Sequence, residues 1–538
     1  MWARIRPGRQ YSAFCHDRYA SSSWTRPPTA KLFLQTTLIH CPLGLLVLAL
    51  SSLCLLVCRT AIAASPARET PPAEQLSGRY GFTDQDIGYL LFDPTQGTVL
   101  EAHLADTPRI PASTTKVVVA LAALHLLGPE YRFTTSFFKS GEIQAGTLHG
   151  DLYLRGGGDP GLSTDDLQHF VVALKNTGIQ RVTGNFFFDE SFLHSTNTID
   201  AKQPAAVSYN PGLSALSLNY NRVQLQWQHK PGGTNFRTAV WSPAKSETLQ
   251  LKAIQTGVLP KGLDRRIKFL HSAPESVAST DFDRWLLSRQ LPAIGWETLP
   301  VRTDPGRFAA SVFRTLCQKK GISLPAPQSA HVPDTAQPVY IHQSKPLSKL
   351  LSGVLQYSNN LSAEIIGQVA AQQLSGRPVS LRESALILAN WYRTQLPRTN
   401  WHGFVCINHS GLSGLSRHTP RQLAAILASG WRMPKHGPAR DVDLLGLLPA
   451  RGNTQNGRTA VRAKSGTMSY ADGLVGYLTA HSGRQLGFTI LLTDFSRRAA
   501  LDAAFDIRFA STPPAAQAWT KRAKRFERML VETWRQRY

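Results

Sequence analysis

Apolar side chains change their spacing several times along this chain, and the changes divide it. Residues 87–92 and 98–103 are short, apolar-bearing runs on either side of Asp93-Pro94-Thr95-Gln96-Gly97, which predicts a β-hairpin. Residues 117–127 (VVVALAALHLL) then run apolar up to Gly128-Pro129. That pattern predicts one buried helix stopped by the Gly-Pro pair. Pro111 and Ser113 stand where its start belongs. From there to about residue 300 the texture is short. Runs such as 150–154, 185–189, 222–229 and 248–254, separated by Gly turns, predict strands, and 164–175 predicts a single helix among them. A Pro-rich passage, 324–339, closes this region, and helical periodicity returns at 347–355, 361–374 and 380–392. The simplest architecture is α/β (α+β): a helical domain interrupted by a large, mainly β insertion.

The start of the chain has another pattern. Residues 1–31 are Arg-rich, residues 32–58 carry no Asp, Glu, Lys or Arg, and Ala61-Ile62-Ala63-Ala64 follows. A basic region, an apolar core and a small-residue exit predict an export signal over residues 1–64, in the periplasm or cell envelope; the long basic part also suits an uncleaved inner-membrane anchor at 32–58. Residues 65–78 read as a linker. The formal charge of +24 then needs dividing: up to residue 64 there are seven Lys/Arg against one Asp, so the remainder carries +18. Behind an export signal, such a basic body suits an anionic membrane surface or an acidic cell-wall polymer rather than nucleic acid. Past the leader only Cys317 and Cys406 remain, and there is no paired C-x-x-C and no H-E-x-x-H. No metal site or cofactor is predicted, and whether the two cysteines bridge stays open.

Three short motifs carry candidate chemistry. Ser113 and Lys116 are three apart, so on a helix they share a face. A serine near a helix N-terminus feels the positive end of the dipole, and a lysine packed in an apolar wall loses preference for its charged form. Together they make a nucleophile and a base. Ser136 and Lys139 have the same spacing but fall in an aromatic, Thr-rich stretch that predicts a strand, where residues three apart point to opposite faces. Ser358-Asn359-Asn360 lies between two predicted helices and could project a hydroxyl and an amide into one cleft; the same residue types also serve as helix N-caps. The spacing recurs at Ser195, Ser208 and Ser217. Lys464-Ser465-Gly466-Thr467 lies on a predicted edge strand, where a cation and hydroxyls suit a terminal carboxylate and a free edge suits a peptide; Lys139-Ser140-Gly141 repeats the pattern. Gly156, Gly158 and Gly161 form a lone G-x-G-x-x-G, but Asp159 would repel a phosphate there, so a turn is the better reading.

Order and context lift these motifs out of the background. A helix-borne Ser-x-x-Lys, then a loop-borne Ser-x-Asn, then a strand-borne Lys-Ser-Gly-Thr is the signature of penicillin-binding proteins and serine β-lactamases. With GDLYLRGGGDP at 150–160, SALSLNYN at 214–221, YSNNLSAE at 357–364 and SGLSGLSRHTP at 410–420, the chain resembles the class C low-molecular-mass penicillin-binding proteins, the D-alanyl-D-alanine carboxypeptidase/endopeptidase family. Ser113 and Ser358 are 245 residues apart, which suits that family's interrupted transpeptidase-like domain. The resemblance implies a catalytic domain of residues 79–132 and 340–538 with an insertion at 133–339. It implies that Ser113 is acylated with Lys116 as base, that Ser358 and Asn360 assist proton transfer and hold the peptide, and that Lys464, Ser465, Gly466 and Thr467 bind the substrate carboxylate, with the N–H groups of Ser113 and Thr467 as oxyanion hole. Substrates would be peptidoglycan stem peptides and cross-links, and β-lactams would inhibit.

This chain departs from the family pattern in three places. Its third motif is Lys-Ser-Gly rather than Lys-Thr-Gly. Gly414 follows Ser-Gly-Leu-Ser where the family usually has arginine, leaving Arg417 as the arginine candidate. Asn219 stands where some members place an acidic residue. Serine β-lactamase is the rival enzyme, disfavoured by the insertion and by the scarcity of Glu near the motifs; a non-catalytic cell-wall-binding protein is the rival of another class. Finally, residues 519–538 form a basic helix with Trp519, Phe526, Leu530 and Trp534 on one side. The stripe predicts either packing on the catalytic sheet or, like the N-terminal segment, peripheral contact with a membrane.

Overall fold

A computed structural model of the chain describes residues 77–242, 247–252, 254–263, 266–272, 283–431, 444–455, 458–509 and 512–538. The predicted export signal, and all of the linker but its last two residues, lie outside the described residues. Ile87–Phe92 and Val99–His103 pair as the predicted antiparallel hairpin. They do not stand alone. Ile87–Phe92 also pairs with Gln485–Thr493, near the far end of the chain. The result is a six-stranded antiparallel sheet in the order Ala450–Gln455, Arg458–Met468, Ala471–Thr479, Gln485–Thr493, Ile87–Phe92, Val99–His103.

Both faces of this sheet are covered. On one lies the helix Thr115–Leu127, every residue of which up to Leu124 is buried, as an all-round apolar sequence requires. Around it pack Leu347–Tyr357, Asn360–Ser375, Leu381–Gln395 and Pro420–Trp431. On the other face lies Pro514–Arg537. Trp519, Phe526, Leu530 and Trp534 are at most 1% exposed and share a core with Tyr89, Leu91, Phe488 and Ile490 of the sheet. The apolar stripe of the C-terminal helix thus takes the packing alternative, buried on the sheet. Among the described residues no helix is long and apolar enough to cross a membrane.

Between Thr115–Leu127 and Leu347–Tyr357 the chain is mainly strand. A five-stranded sheet runs Pro327–Ser329, Phe186–Asp189, Leu152–Gly156, Thr134–Lys139, Gln337–Gln343, with further sheets of four, three and three strands. The first strand of this region, Thr134–Lys139, pairs with the last, Gln337–Gln343, and Leu347 N donates to Tyr131 O at 2.8 Å. Exit and re-entry are therefore adjacent. Two expectations need amending. Besides Thr164–Asn176 there is a second helix here, Pro305–Lys319, with Asp304 accepting from Arg307 N as its N-cap and Pro305 at its first turn. The spacing of the buried Phe308, Val312 and Leu316 marks its core face. The run at 248–254 is two strands, Glu247–Leu251 and Ile254–Val258. Cys317 and Cys406 are both free thiols.

Candidate active site

The site begins with a backbone that is not quite the predicted helix. Pro111 is right-handed helical, Ala112 has φ +45°, and Ala112–Thr114 form a single 3-10 turn leading into Thr115–Leu127. A non-glycine residue in that region costs about 1–3 kcal/mol and persists only where its surroundings hold it. Here Thr114 Oγ1 donates to Pro111 O at 2.7 Å. Gly411 also presses so closely that a Cβ on it would lie 1.8 Å from Ala112 O. The strained turn lifts half-buried Ser113 off the helix body while keeping Lys116 one turn below it.

Lys116 is fully buried. Its Nζ donates to Ser113 Oγ at 2.8 Å, Asn360 Oδ1 at 2.7 Å and Ser410 O at 2.8 Å. Three acceptors suit an ammonium, but burial pushes the lysine pKa down to about 7, against the opposing pull of Glu364. Ammonium and amine are therefore both accessible near neutrality. The amine, with its lone pair toward Ser113 Oγ, is a base in hydrogen-bond reach of a nucleophile.

Asn360 arrives from a sharp joint between two helices. Leu347–Tyr357 ends on Ser358 in the left-handed conformation (φ 57°, ψ 36°), and Asn359 Oδ1 accepts from Ser362 N to cap Asn360–Ser375. The capping role weighed for this motif thus falls to Asn359, which leaves Asn360 free to face Lys116. Asn360 Nδ2 donates to Tyr209 O at 2.9 Å, so the long β region supplies part of the wall. Two of the look-alike asparagines are structural. Asn210 braces Asp200, and Asn219 holds Thr164 N and Thr164 Oγ1 at the start of Thr164–Asn176. Lys139 lies on a strand and holds Gly141 O and Gln337 Oε1.

The third motif sits on Arg458–Met468, which is an edge for only part of its length. Ala450–Gln455 pairs with it as far as Arg462; beyond that, among the described strands, it has a neighbour only in Ala471–Thr479. Ala463 N bonds outward to Pro449 O, and Arg451 Nε reaches Ala463 O. By alternation the backbone groups of Ser465 and Thr467 also point outward. Lys464 is 2% exposed and donates to Ser465 O at 2.8 Å. Thr467 Oγ1 donates to Asp472 Oδ1 at 2.7 Å, and Arg451 Nη2 to Ser465 Oγ at 3.0 Å. Gly466 explains itself: a Cβ there would lie 2.7 Å from Pro111 O, Ser113 N and Thr114 N. Only a glycine lets this strand touch the Ser113 turn. Gly466→Ala should react with a β-lactam about 100-fold more slowly, since the added Cβ forces the strand and the Ser113 turn apart; stopped-flow labelling reads this directly.

The structure thus brings Ser113, Lys116 and Asn360 into direct contact, with the Gly466 strand against the Ser113 turn and Ser358 beside Asn360. Arg417 is placed otherwise. Its Nη1 holds the carbonyls of Gly414 and Ser416, and its guanidinium lies over Phe495. Three participants escaped the sequence reading. The Ser410 carbonyl acts through backbone, which a motif of side chains does not flag. Asp472 lies opposite Thr467 only because of strand register. Glu364 did leave a signal, as the one carboxylate in the run from Leu361 to Ala371.

Comparison with known proteins shows the family and the fold. Residues 82–508 match the model of the D-Ala-D-Ala carboxypeptidase 3 (S13) family. The chain is 24% identical over 436 residues to D-alanyl-D-alanine carboxypeptidase DacB of Haemophilus influenzae, covering 76% of this chain and 86% of that protein. It is 26% identical over 476 residues to the D-alanyl-D-alanine carboxypeptidase of an Actinomadura species, covering 80% and 84%. The crystal structure of penicillin binding protein 4 (dacB) from Haemophilus influenzae superposes with a TM-score of 0.66 at 20% identity, over 85% of this chain and 99% of that one. A second structure of that protein, complexed with a β-lactam, gives 0.63 at 21% identity, over 82% and 96%.

Proposed function

The chain belongs to the D-Ala-D-Ala carboxypeptidase 3 (S13) family and is a D-alanyl-D-alanine carboxypeptidase; from that premise we propose that Ser113 carries the acyl group and Lys116 takes its proton. Ser113 Oγ attacks the carbonyl carbon of the penultimate D-alanine of a peptidoglycan stem peptide while its proton passes to Lys116 Nζ. The N–H groups of Ser113 and Thr467 hold the oxyanion. The C–N bond breaks, terminal D-alanine leaves with a proton relayed through Ser358, and water hydrolyses the Ser113 ester. Where the leaving amine belongs to a neighbouring stem peptide, the same steps cut a cross-link. Asn360 holds the peptide amide, and Lys464, Ser465, Gly466 and Thr467 take the substrate strand and its carboxylate. Arg417 acts through the loop it braces, shaping the substrate side of the turn that carries Ser410. A β-lactam would be attacked in the same way and leave a slow ester.

The observation that carries this reading is the buried Lys116 amine in hydrogen bonds to both Ser113 Oγ and Asn360 Oδ1. The division into a catalytic part (79–132 and 340–538) and an inserted part (133–339) belongs to it too, supported by the pairing of the strands that leave and re-enter. So does export to the periplasm or cell envelope by residues 1–64, supported by their pattern alone. The test is to mix residues 65–538 with a fluorescent penicillin, denature, and look for a labelled band, in parallel with D-alanine release from a peptide ending in D-Ala-D-Ala. Band and release together are expected. Penicillin hydrolysed in solution with no persistent band would indicate a β-lactamase, and a folded protein with neither would overturn the assignment.

A further inference from the structure

Glu364 has no part in the steps above, yet it lies behind them. It is fully buried. It sits one turn after Asn360 on Asn360–Ser375, and residues four apart share a helix face. Both carboxylate oxygens are used: Oε2 accepts from His409 N and Oε1 from Ser410 N, each at 2.8 Å. The carbonyl of that same Ser410 accepts from Lys116 Nζ. One helix therefore reaches Lys116 twice, directly through Asn360 Oδ1 and indirectly through Glu364 and the loop it grips.

Resting on the assignment of Lys116 as the base, we propose that Glu364 is its positioning residue, clamping the Ser410 carbonyl against Nζ and supplying the buried countercharge that sets how readily the lysine keeps its proton. The chemistry requires something of this kind. A base that only floats in an apolar wall loses its aim, and an acyl transfer is sensitive to displacements of about 1 Å. A buried ammonium without a countercharge is also expensive. Two N–H donors favour the carboxylate form of Glu364 and partly oppose the burial that raises its pKa. The other ionisable group at its side is His409, and burial holds that ring neutral, pushed down to about 3. Its Nε2 is bonded to Ser384 Oγ, and the ring packs where a Cβ on Gly367 would be. Among the described residues, Lys116 is the cation whose charge acts on Glu364.

Two variants separate this role from mere stability. Glu364→Gln removes the charge and one of two backbone acceptors. Acylation by a fluorescent penicillin should slow by about 10- to 100-fold. The acid limb of its pH profile should move to lower pH, because the ammonium form loses its countercharge. Glu364→Asp keeps the charge on a shorter arm, so its rate should fall while its acid limb stays near the native position. A folded Gln variant with native rate and unmoved profile would overturn the proposal. If only Asp yields folded protein, a native rate would overturn it and a reduced rate on an unmoved limb would support it. Failure of the wild-type protein to acylate at all would instead count against the assignment on which the proposal rests.

Discussion

With Ser113 replaced by alanine, the folded protein should show no covalent penicillin band, and D-alanine release should fall by on the order of 1,000-fold or more. The loss should be in turnover, since the oxyanion donors and the Lys464 strand remain to bind peptide. Stability should change little. Ser113 is half-buried, and its Oγ accepts from Lys116 Nζ, which keeps Asn360 Oδ1 and Ser410 O. Deleting one hydrogen bond of that kind is worth about 1 kcal/mol. Mass spectrometry of the labelled wild-type protein should place the adduct on the tryptic peptide containing Ser113. An adduct elsewhere, or a persistent band in the variant, would remove Ser113 from its role.

Lys116→Met should be costly twice over. The methionine keeps the volume of the side chain but offers no basic lone pair to Ser113 and no proton to Asn360 Oδ1 or Ser410 O. Acylation should drop by about 100- to 10,000-fold, the range of a lost general base. The fold should also weaken, because buried Glu364 keeps its two backbone donors but loses the attraction of the Lys116 charge. The sign with pH follows. Burial already raises the Glu364 pKa, and without Lys116 it rises further above the unfolded value of about 4.3. The folded variant then binds the extra proton, so its stability is greatest at low pH and declines as pH climbs through the folded pKa. From pH 6 to pH 8 the melting temperature of the variant should fall relative to that of the native protein, where buried Lys116, its pKa lowered to about 7, makes a contribution that grows with pH. In the native protein the acylation rate itself should rise through about pH 7, where burial places the Lys116 titration. A flat profile across that range would mean another group takes the proton from Ser113.

Much of this protein is legible in its residues, for definite reasons. The helix Thr115–Leu127 announces itself because a helix buried on all sides must be apolar on all sides. The strand Thr134–Lys139 could be told from it by aromatic and Thr content, which ruled out Ser136 and Lys139 as a pair. The order of Ser-x-x-Lys, Ser-x-Asn and Lys-Ser-Gly-Thr named the chemistry before any coordinate. Local pattern also admitted two fates for the C-terminal Trp519–Trp534 stripe, since a sheet and a membrane ask for the same amphipathic face. Only the partner decides, and the sheet built from both ends of the chain is that partner.

What the linear sequence does not hold is anything that depends on two distant segments meeting. Gly466 is an ordinary strand glycine until the Ser113 turn is laid 2.7 Å from its missing Cβ. Ala112 carries no sign of φ +45°, because the strain is imposed by Gly411 and the chain around it. Asn359 and Asn360 are indistinguishable as letters; one caps a helix and the other holds Lys116 because the Ser358 joint aims them apart. Residue types and short-range spacing determine which helices and strands form and which groups could react. Contacts between residues 244 and 294 positions apart, such as Lys116 with Asn360 and with Ser410, arise from packing alone, and they decide which of those groups become the site.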